Sequence, residues 1–249
     1  MTESAQAART HPDVEESAEE QGQLLRMLAH ELRGSARTLT QFSQLLSERL
    51  GSSADESTTR MLGFLRDGGA QVRSVIDGLM EFEAARAPLE STQRLDITDV
   101  LELVLQGESE LNERLMPQLE LGPLAPVEAN PERLTRCLRH LLHNAATYTQ
   151  PDTEAHVRLE AVIDGEHWHL RCHDEGPGIA ADAQERIWLP FRRLYSWAEH
   201  PGCGLGLLTA RRHARAHGGE LSLEHSTLGE GSTFLLSLPR APSTASPTP

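Results

Sequence analysis

Two stretches of this chain repeat apolar residues every seven positions, and no other feature constrains its fold as tightly. In the first, Leu25, Leu32, Leu39 and Leu46 are seven apart, with Leu28, Ser35, Phe42 and Arg49 three positions after each. In the second, Leu65, Val72 and Leu79 are seven apart, with Met61, Gly68, Val75 and Phe82 at the matching offset. A seven-residue apolar repeat is the seam of a helix that packs against another helix. The polar break "GSSADES" between the two stretches suits a helical hairpin. Each seam is too narrow to be buried by one hairpin alone. Two hairpins paired as a four-helix bundle are the economical solution, so the pattern predicts a homodimer.

With the Leu25 series at position a, His30 falls at f, on the outward face, and Arg37 shares that face. Glu31 is adjacent and also outside the seam. Gly34, one turn on, leaves the space beside the imidazole open. A neutral imidazole is a competent nucleophile near pH 7, its reference pKa being about 6.5. A neighbouring carboxylate can take the proton of the other ring nitrogen and orient the ring. Taken alone, His30 reads as a solvated surface histidine, one of 12 in the chain.

The texture changes after Pro88. "DITDVLELVLQ" reads as a helix with Asp96 or Thr98 near its N-cap. "QLELG" and "APVEA" are short strands. "NPERLTRCLRHLLHNAATY" is a helix capped by Asn130, with Pro131 at its first position. "HVRLEAVID" and "HWHLRCHDE" are strands joined as a hairpin across Asp164-Gly165. "GLGLLTARRHARAHGG" is a helix ended by Gly218-Gly219, followed by strands "ELSLEHS" and "GSTFLLSLP". The order predicts an α+β fold, a sandwich of one sheet covered by helices, behind the helical hairpin. The expected divisions are a disordered segment 1–19, the hairpin 20–87, a linker 88–95, the sandwich domain 96–240 and a disordered tail 241–249.

Charge and composition exclude some functions. The net charge of −14 disfavours generic nucleic-acid binding, though not one local nucleotide site. No apolar run approaches the roughly 20 residues of a membrane-spanning helix. "MTESAQAARTHPDVEESAEE" has no apolar stretch resembling a signal peptide. Cys137, Cys172 and Cys203 form neither a disulfide framework nor a zinc spacing, so they read as small packing residues in a reducing, cytoplasmic setting.

Three further constellations carry chemistry. In "DEGPGIA", a buried Asp174 at a strand end would accept a hydrogen bond from an exocyclic amine such as that of adenine. Gly176 and Gly178 would allow close approach, although a plain Gly-Pro turn has the same sequence. In "HPGCGLGLLTARRH", Gly202, Gly204 and Gly206 precede or open a helix whose backbone N–H groups can face phosphate oxygens. Their spacing is not the dinucleotide fingerprint. In "RHLLHNAATYT", His140, Asn144 and Tyr148 share a helix face, and Asn144 offers a neutral oxygen for Mg²⁺ beside substrate phosphates.

The order of these motifs resembles the sensor histidine kinases of two-component signalling, within them the phytochrome-type group, over about residues 20 to 240. "AHELRGSARTLTQFSQLLSERL" is similar to that family's phospho-acceptor box, "HNAATYT" to its asparagine box and "DEGPGI" to its first glycine box. "IWLPFRRLYSWAEHPGCGLGL" resembles its phenylalanine and second glycine boxes, and "GEGSTFLLSLP" its last strand. The resemblance implies a dimerisation and phosphotransfer hairpin followed by an ATP-binding domain. It implies that His30 takes the γ-phosphoryl group of ATP with Glu31 as acid/base partner, that Asn144 holds Mg²⁺, and that Asp174 reads the adenine amine. Gly176, Gly178, Gly202, Gly204 and Gly206 would shape the pocket and its lid, and Phe191 would belong to the lid. The phosphoryl group would pass to an aspartate on the receiver domain of a response regulator.

The chain departs from the family pattern at four places. Ser35 stands where a proline is usual, which predicts a straighter helix. Gly34 replaces a polar side chain that in many relatives positions water for dephosphorylating the regulator, which predicts weak phosphatase activity. His140 replaces a common asparagine, and Thr147 stands where a lysine or arginine often approaches phosphate, a charge that Arg192 or Arg193 would have to supply. Two other classes fit parts of the pattern: a non-catalytic histidine phosphotransfer protein with a reduced ATP domain, and an anti-sigma-type serine kinase. The first has no need of Asn144, Asp174 and the glycines; the second has no need of the hairpin. About 20 residues precede the hairpin, so the expectation is either input from a separate sensory protein or a constitutive kinase.

Overall fold

The computed structural model describes residues 12–149, 155–197, 199–200 and 202–240. The chain divides into two compact units, Met1–Glu83 and Ala84–Pro249. The expected tail 241–249 lies outside the described residues.

The first unit is a pair of helices, α1 (Pro12–Leu50) and α2 (Glu56–Ala84), joined by a short 3-10 turn. Helix α1 starts upstream of the expected hairpin boundary, so residues 12–19 are helical rather than disordered; residues 1–11 lie outside the described residues. The local sequence accounts for this: Pro is tolerated in a first helical turn, and the Glu and Ala residues that follow are good helix formers. The turn carries its own cap, since the Asp55 carboxylate accepts the Thr58 N–H at 2.7 Å.

The hairpin closes through small residues, not through the apolar heptads. Ala29, Ala36 and Ser43 are buried on α1, and Leu62, Gly69 and Ile76 on α2. Both sets repeat every seven residues and sit at position e. At Gly69 the helices come so close that a Cβ would lie 2.5 Å from Thr40 Oγ1 and 3.2 Å from the Ala36 carbonyl. Several a and d residues face away, Leu32 being 52 % exposed, Phe42 62 % and Val72 44 %, while Leu25, Val75, Leu79 and Phe82 are half-buried. An Arg33–Asp77 ion pair at 2.7 Å ties the helices at the surface.

The second unit is a two-layer sandwich. Its elements are β1 (Gln93–Leu95), α3 (Ile97–Gly107), α4 (Ser109–Leu115), β2 (Leu119–Leu124), β3 (Val127–Ala129), α5 (Pro131–Thr147), β4 (Val157–Asp164), β5 (His167–Asp174), α6 (Gly206–Ala216), β6 (Glu220–Thr227) and β7 (Gly231–Pro239). Five strands form one sheet in the order β2-β4-β5-β7-β6, while β1 pairs with β3 in a small separate ladder. Only β2 and β4 run parallel. The β4–β5 hairpin turns where expected, with Asp164 opposite His167 and Gly165 at a positive φ of 58°.

The register places Leu159, Cys172, Phe234 and Leu223 side by side across the sheet. Strand β5 alternates strictly: Trp168, Leu170, Cys172 and Asp174 are buried, whereas His169, Arg171 and His173 are half-exposed on the other face. The buried face meets α3, α5 and α6 in one core built on Ile97, Leu134, Leu138, Leu141, Leu142 and Leu221. Trp168 buries its ring and satisfies its N–H on the Ala125 carbonyl at 2.8 Å. Cys137 and Cys172 belong to this core, Cys203 is half-buried, and all three are free thiols.

The expected linker is not a separate spacer. Its residues 93–95 form β1, and its first residues are bound to the second unit by Arg133. Asn130 caps α5 as expected, its side chain accepting the Arg133 N–H at 3.1 Å. Asp96 caps α3, accepting the Thr98 N–H at 2.9 Å.

Candidate functional site

His30 and Glu31 are exposed on α1. Around them the helix is unbroken. Ser35, in the position of the family's proline, returns its hydroxyl to the Glu31 carbonyl at 3.1 Å. Thr38 does the same to the Gly34 carbonyl at 3.0 Å. A Cβ added at Gly34 would meet nothing within 4 Å, so the space beside the imidazole is open. These residues belong to the first unit; all other expected site residues belong to the second.

In the second unit, Asp174 ends β5, paired with Val157 on β4 and Ser232 on β7. It is 5 % exposed. Burial pushes its carboxyl up to about 6, and backbone N–H groups of Gly176 and Ser232 partly offset that rise. The Gly176 N–H donates to Asp174 Oδ1 at 3.0 Å.

The turn after Asp174 is fitted too tightly for side chains. A Cβ at Gly176 would collide with the Tyr148 carbonyl and the Asp174 carboxylate. Gly178 has a φ of 69°, and a Cβ there would strike the Thr227 carbonyl. Ser226 fixes the same turn from β6: its hydroxyl accepts the Ile179 N–H at 2.8 Å and donates to the Gly231 carbonyl at 3.1 Å.

The α5 face bearing His140, Asn144 and Tyr148 looks toward these segments. His140 Nδ1 lies 3.2 Å from where a Gly206 Cβ would be, so α5 and the start of α6 meet at that glycine. Asn144, half-buried, stands one turn further along. Tyr148 touches Gly176 through its carbonyl and stacks its ring on Tyr195 at 5.5 Å. Gly206 opens α6, as the glycine segment predicts. Thr147 faces elsewhere: it is buried, with Oγ1 3.2 Å from His143 Nδ1.

Phe191 and Gly204 close the base of the loop between the 3-10 turn Arg186–Trp188 and α6, with the Phe191 N–H donating to the Gly204 carbonyl at 3.2 Å. Phe191 is a non-glycine residue at a φ of 60°, and its ring is half-exposed. Gly202 and Gly204 both have positive φ. Within the loop, Tyr195 and His200 gather on Tyr148, each of the three ring pairs lying 5.1–5.5 Å apart. Arg193 is occupied by its own loop: it donates to the carbonyls of Ser196 and His200 and lies 5.6 Å over the Trp197 ring. Of the two arginines weighed as replacements for a phosphate-directed cation, Arg192 is the exposed one.

The structure thus brings Asn144, Asp174, Gly176, Gly178 and Gly206 around one end of the sheet, beside the loop holding Phe191, Gly202 and Gly204. Sequence reasoning missed Ser226, Tyr195 and His200. Tyr195 and His200 lie inside a quoted motif but were not singled out in it, and Ser226 lies in no motif; each matters through a partner far along the chain. Among the described residues no helix is long and apolar enough to cross a membrane.

Comparison with known proteins agrees with this geometry. Residues 129–242 match the family described as histidine kinase-, DNA gyrase B-, and HSP90-like ATPase. The sensor protein PfeS of Pseudomonas aeruginosa is 34 % identical over 208 residues, covering 82 % of this chain and 44 % of PfeS. The phytochrome-like protein Cph1 of Synechocystis is 28 % identical over 214 residues, covering 85 % of this chain and 28 % of Cph1. The crystal structure of full-length ShkA with AMPPNP aligns with a TM-score of 0.63 at 26 % identity, over 88 % of this chain and 46 % of that one. The chain therefore spans less than half the length of each of these relatives. A helical hairpin with an exposed histidine, a buried aspartate beside a glycine turn and an asparagine-bearing helix, matched along most of the chain by sensor kinases, place this protein in the two-component sensor histidine kinase family.

Proposed function

We propose that this chain is an ATP-dependent protein-histidine kinase that phosphorylates its own His30 and passes the phosphoryl group to an aspartate of a response-regulator receiver domain. The observation that carries the reading is the buried Asp174 carboxylate held over a turn in which Gly176 and Gly178 have no room for a side chain. A decayed domain retains no such fit. The site suits a purine: the carboxylate accepts the exocyclic amine, and the bare turn lets the ring approach. Among the described residues no group of three His, Cys, Asp or Glu side chains could hold a metal. A Mg²⁺ ion would therefore rest on the Asn144 amide oxygen and on oxygens of the bound phosphates, where it neutralises charge on the transferred group.

In this reading the exposed His30 imidazole attacks the γ-phosphorus, a nitrogen–phosphorus bond forms as the bond to the bridging oxygen breaks, and ADP leaves. Glu31 takes the proton from the other ring nitrogen. The hairpin pairs with a second copy through its outward apolar seam. Transfer to a regulator completes the pathway.

Incubation of the protein with γ-labelled ATP and Mg²⁺ tests the reading. An acid-labile label that vanishes in His30→Ala is expected. An acid-stable label indicates a serine kinase, and no label indicates a phosphotransfer protein. The open space at Gly34 leaves no side chain there to orient water, so the kinase should barely shorten the half-life of a phosphorylated cognate regulator. A strong shortening that persists in Gly34→Ala would show that another residue positions the water.

A further inference from the structure

We infer that residues 85–91 are a fixed part of the ATP-binding unit, and that Arg133 is a positioning residue for phosphoryl transfer because it lashes down this segment. The inference rests on the kinase reading for its function, but the clamp itself is a matter of geometry.

Arg133 sits in the first turn of α5, on the helix that carries Asn144, and is 8 % exposed. Three backbone carbonyls of the segment leaving α2 accept from its guanidinium. Nη1 donates to the Ala85 carbonyl at 3.1 Å, and Nη2 donates to those of Ala87 and of Pro88, the latter at 3.0 Å. A guanidinium suits this task because its donors are held rigidly in a plane and it stays charged. Neighbouring Asn130 extends the clamp: its Nδ2 donates to the Ser91 carbonyl at 3.1 Å while its Oδ1 caps α5.

The other end of the network fixes Asn130 itself. Its backbone N–H donates to His217 Nε2 at 3.0 Å, and His217 Nδ1 donates to the His213 carbonyl at 2.8 Å. A bare Nε2 and a protonated Nδ1 are thus both required, so His217 is the neutral Nδ1–H tautomer. Burial, with the Arg133 charge adding to it, holds this histidine below its ordinary range, against the His213 bond that pulls it up. Residues 85–91 are therefore bound to the start of α5, which is itself tied through Asn130 to His217 at the end of α6.

A linker that follows a helical hairpin and contains Pro88 would ordinarily serve as a loose tether. Clamping it shortens the free tether between the nucleotide and the histidine-bearing unit. Effective concentration across a tether falls steeply with tether length. Releasing seven residues should leave nucleotide binding intact and slow the encounter with His30.

The test uses the full chain. Arg133→Lys keeps the charge but cannot hold three carbonyls at once. Trypsin cleavage after Arg86 reads the clamp directly, because proteolysis samples local opening. We expect cleavage at Arg86 to rise about ten-fold or more in the variant, with sheet sites Arg158 and Arg171 unchanged. Binding of a fluorescent ATP analogue should stay within about three-fold, while self-labelling at saturating ATP falls several-fold. Unchanged cleavage at Arg86 overturns the clamp, as does a uniform rise at all sites. Increased cleavage with undiminished labelling overturns the positioning role. Should Arg133→Lys fail to fold, Asn130→Asp decides: it keeps the cap on α5, removes only the donor to Ser91, and should open the segment to a smaller extent. A wild-type protein that takes no label removes the kinase reading, while cleavage at Arg86 still decides whether the segment is clamped.

Discussion

The two units of this chain solve the burial problem in opposite ways. In the second, large apolar side chains fill a core: Trp168, Phe234, Leu138 and Leu142 are at most 2 % exposed. In the first, the largest are outside: Met27, Leu32, Phe42, Met61 and Phe64 are each more than half exposed, and the buried seam is alanine, serine and glycine with Leu62 and Ile76. One unit is complete by itself. The other presents two apolar ridges per hairpin to something beyond it. An exposed apolar stripe of that length marks an interaction surface, and a self-complementary heptad seam is met economically by a second copy. Ala29, Ala36, Ser43 and Gly69 let the two helices of one hairpin approach closely; large a and d residues then remain for the bundle proposed above.

Substitutions can break this contrast. The largest effect is expected from Leu32→Asp or Val72→Asp. On a lone hairpin each would be harmless, since both positions are exposed. In a paired bundle each copy would bury an unpartnered carboxylate, at a cost of several kcal/mol apiece, and the dimer should dissociate. The second unit should behave differently: Leu138→Ala should cost about 2–5 kcal/mol, measured by urea unfolding, with no dependence on protein concentration. A Leu32→Asp protein that stays dimeric by light scattering would show that the seam lies elsewhere.

Asp174→Asn sharpens the contrast inside the second unit, because function and stability should move in opposite directions. The carboxyl is raised from 3.8 to about 6. The folded state thus holds the proton more tightly than the unfolded one, so its contribution to stability is intact below pH 3.8 and is lost as pH rises through about 6. Replacing the ionised group with an amide should recover up to roughly 3 kcal/mol above pH 6 and flatten that pH dependence. The amide would also turn a donor toward the adenine amine, costing about 1–3 kcal/mol in affinity, a loss of roughly 5- to 150-fold. Thermal unfolding at pH 4 and pH 8, together with titration of a fluorescent ATP analogue, checks both halves.

The smallest effects separate two glycines of α2. A Cβ at Gly63 would meet nothing within 4 Å, so Gly63→Ala should gain about 0.5–1 kcal/mol of helix propensity. A Cβ at Gly69 would lie 3.2 Å from the Ala36 carbonyl, which cannot turn aside as the Thr40 hydroxyl can. Crowding of about 1–3 kcal/mol should cancel or exceed the propensity gain there. Equal stabilisation by both substitutions would mean the helices are not in close contact at Gly69.

Much of this was legible in the sequence because it was local. Asn130-Pro131 announced α5, Asp164-Gly165 the β4–β5 hairpin, and Gly218-Gly219 the end of α6. The heptads announced a helical hairpin, yet they concealed how it closes, since Ala29, Ala36 and Ser43 carry little hydrophobic signal of their own. Strand β1 is three residues long and α4 seven, too short for any periodicity to show. The site motifs named Asp174, its glycines and Asn144, but not Ser226, whose hydroxyl holds the Ile179 N–H from 47 residues away. Nor did "PERL" reveal that Arg133 reaches back to carbonyls 45 to 48 residues earlier. Contacts of that kind are set by the finished fold and leave no trace in spacing.

The contrast between a self-sufficient unit and an incomplete one is tested most directly by light scattering of the wild-type chain at micromolar concentration, read beside the same measurement on Leu32→Asp. The account predicts twice the chain mass for the wild type and the chain mass for the variant, with ATP-analogue binding unchanged in both. A wild-type protein that is monomeric at that concentration, with its hairpin still helical, would contradict it.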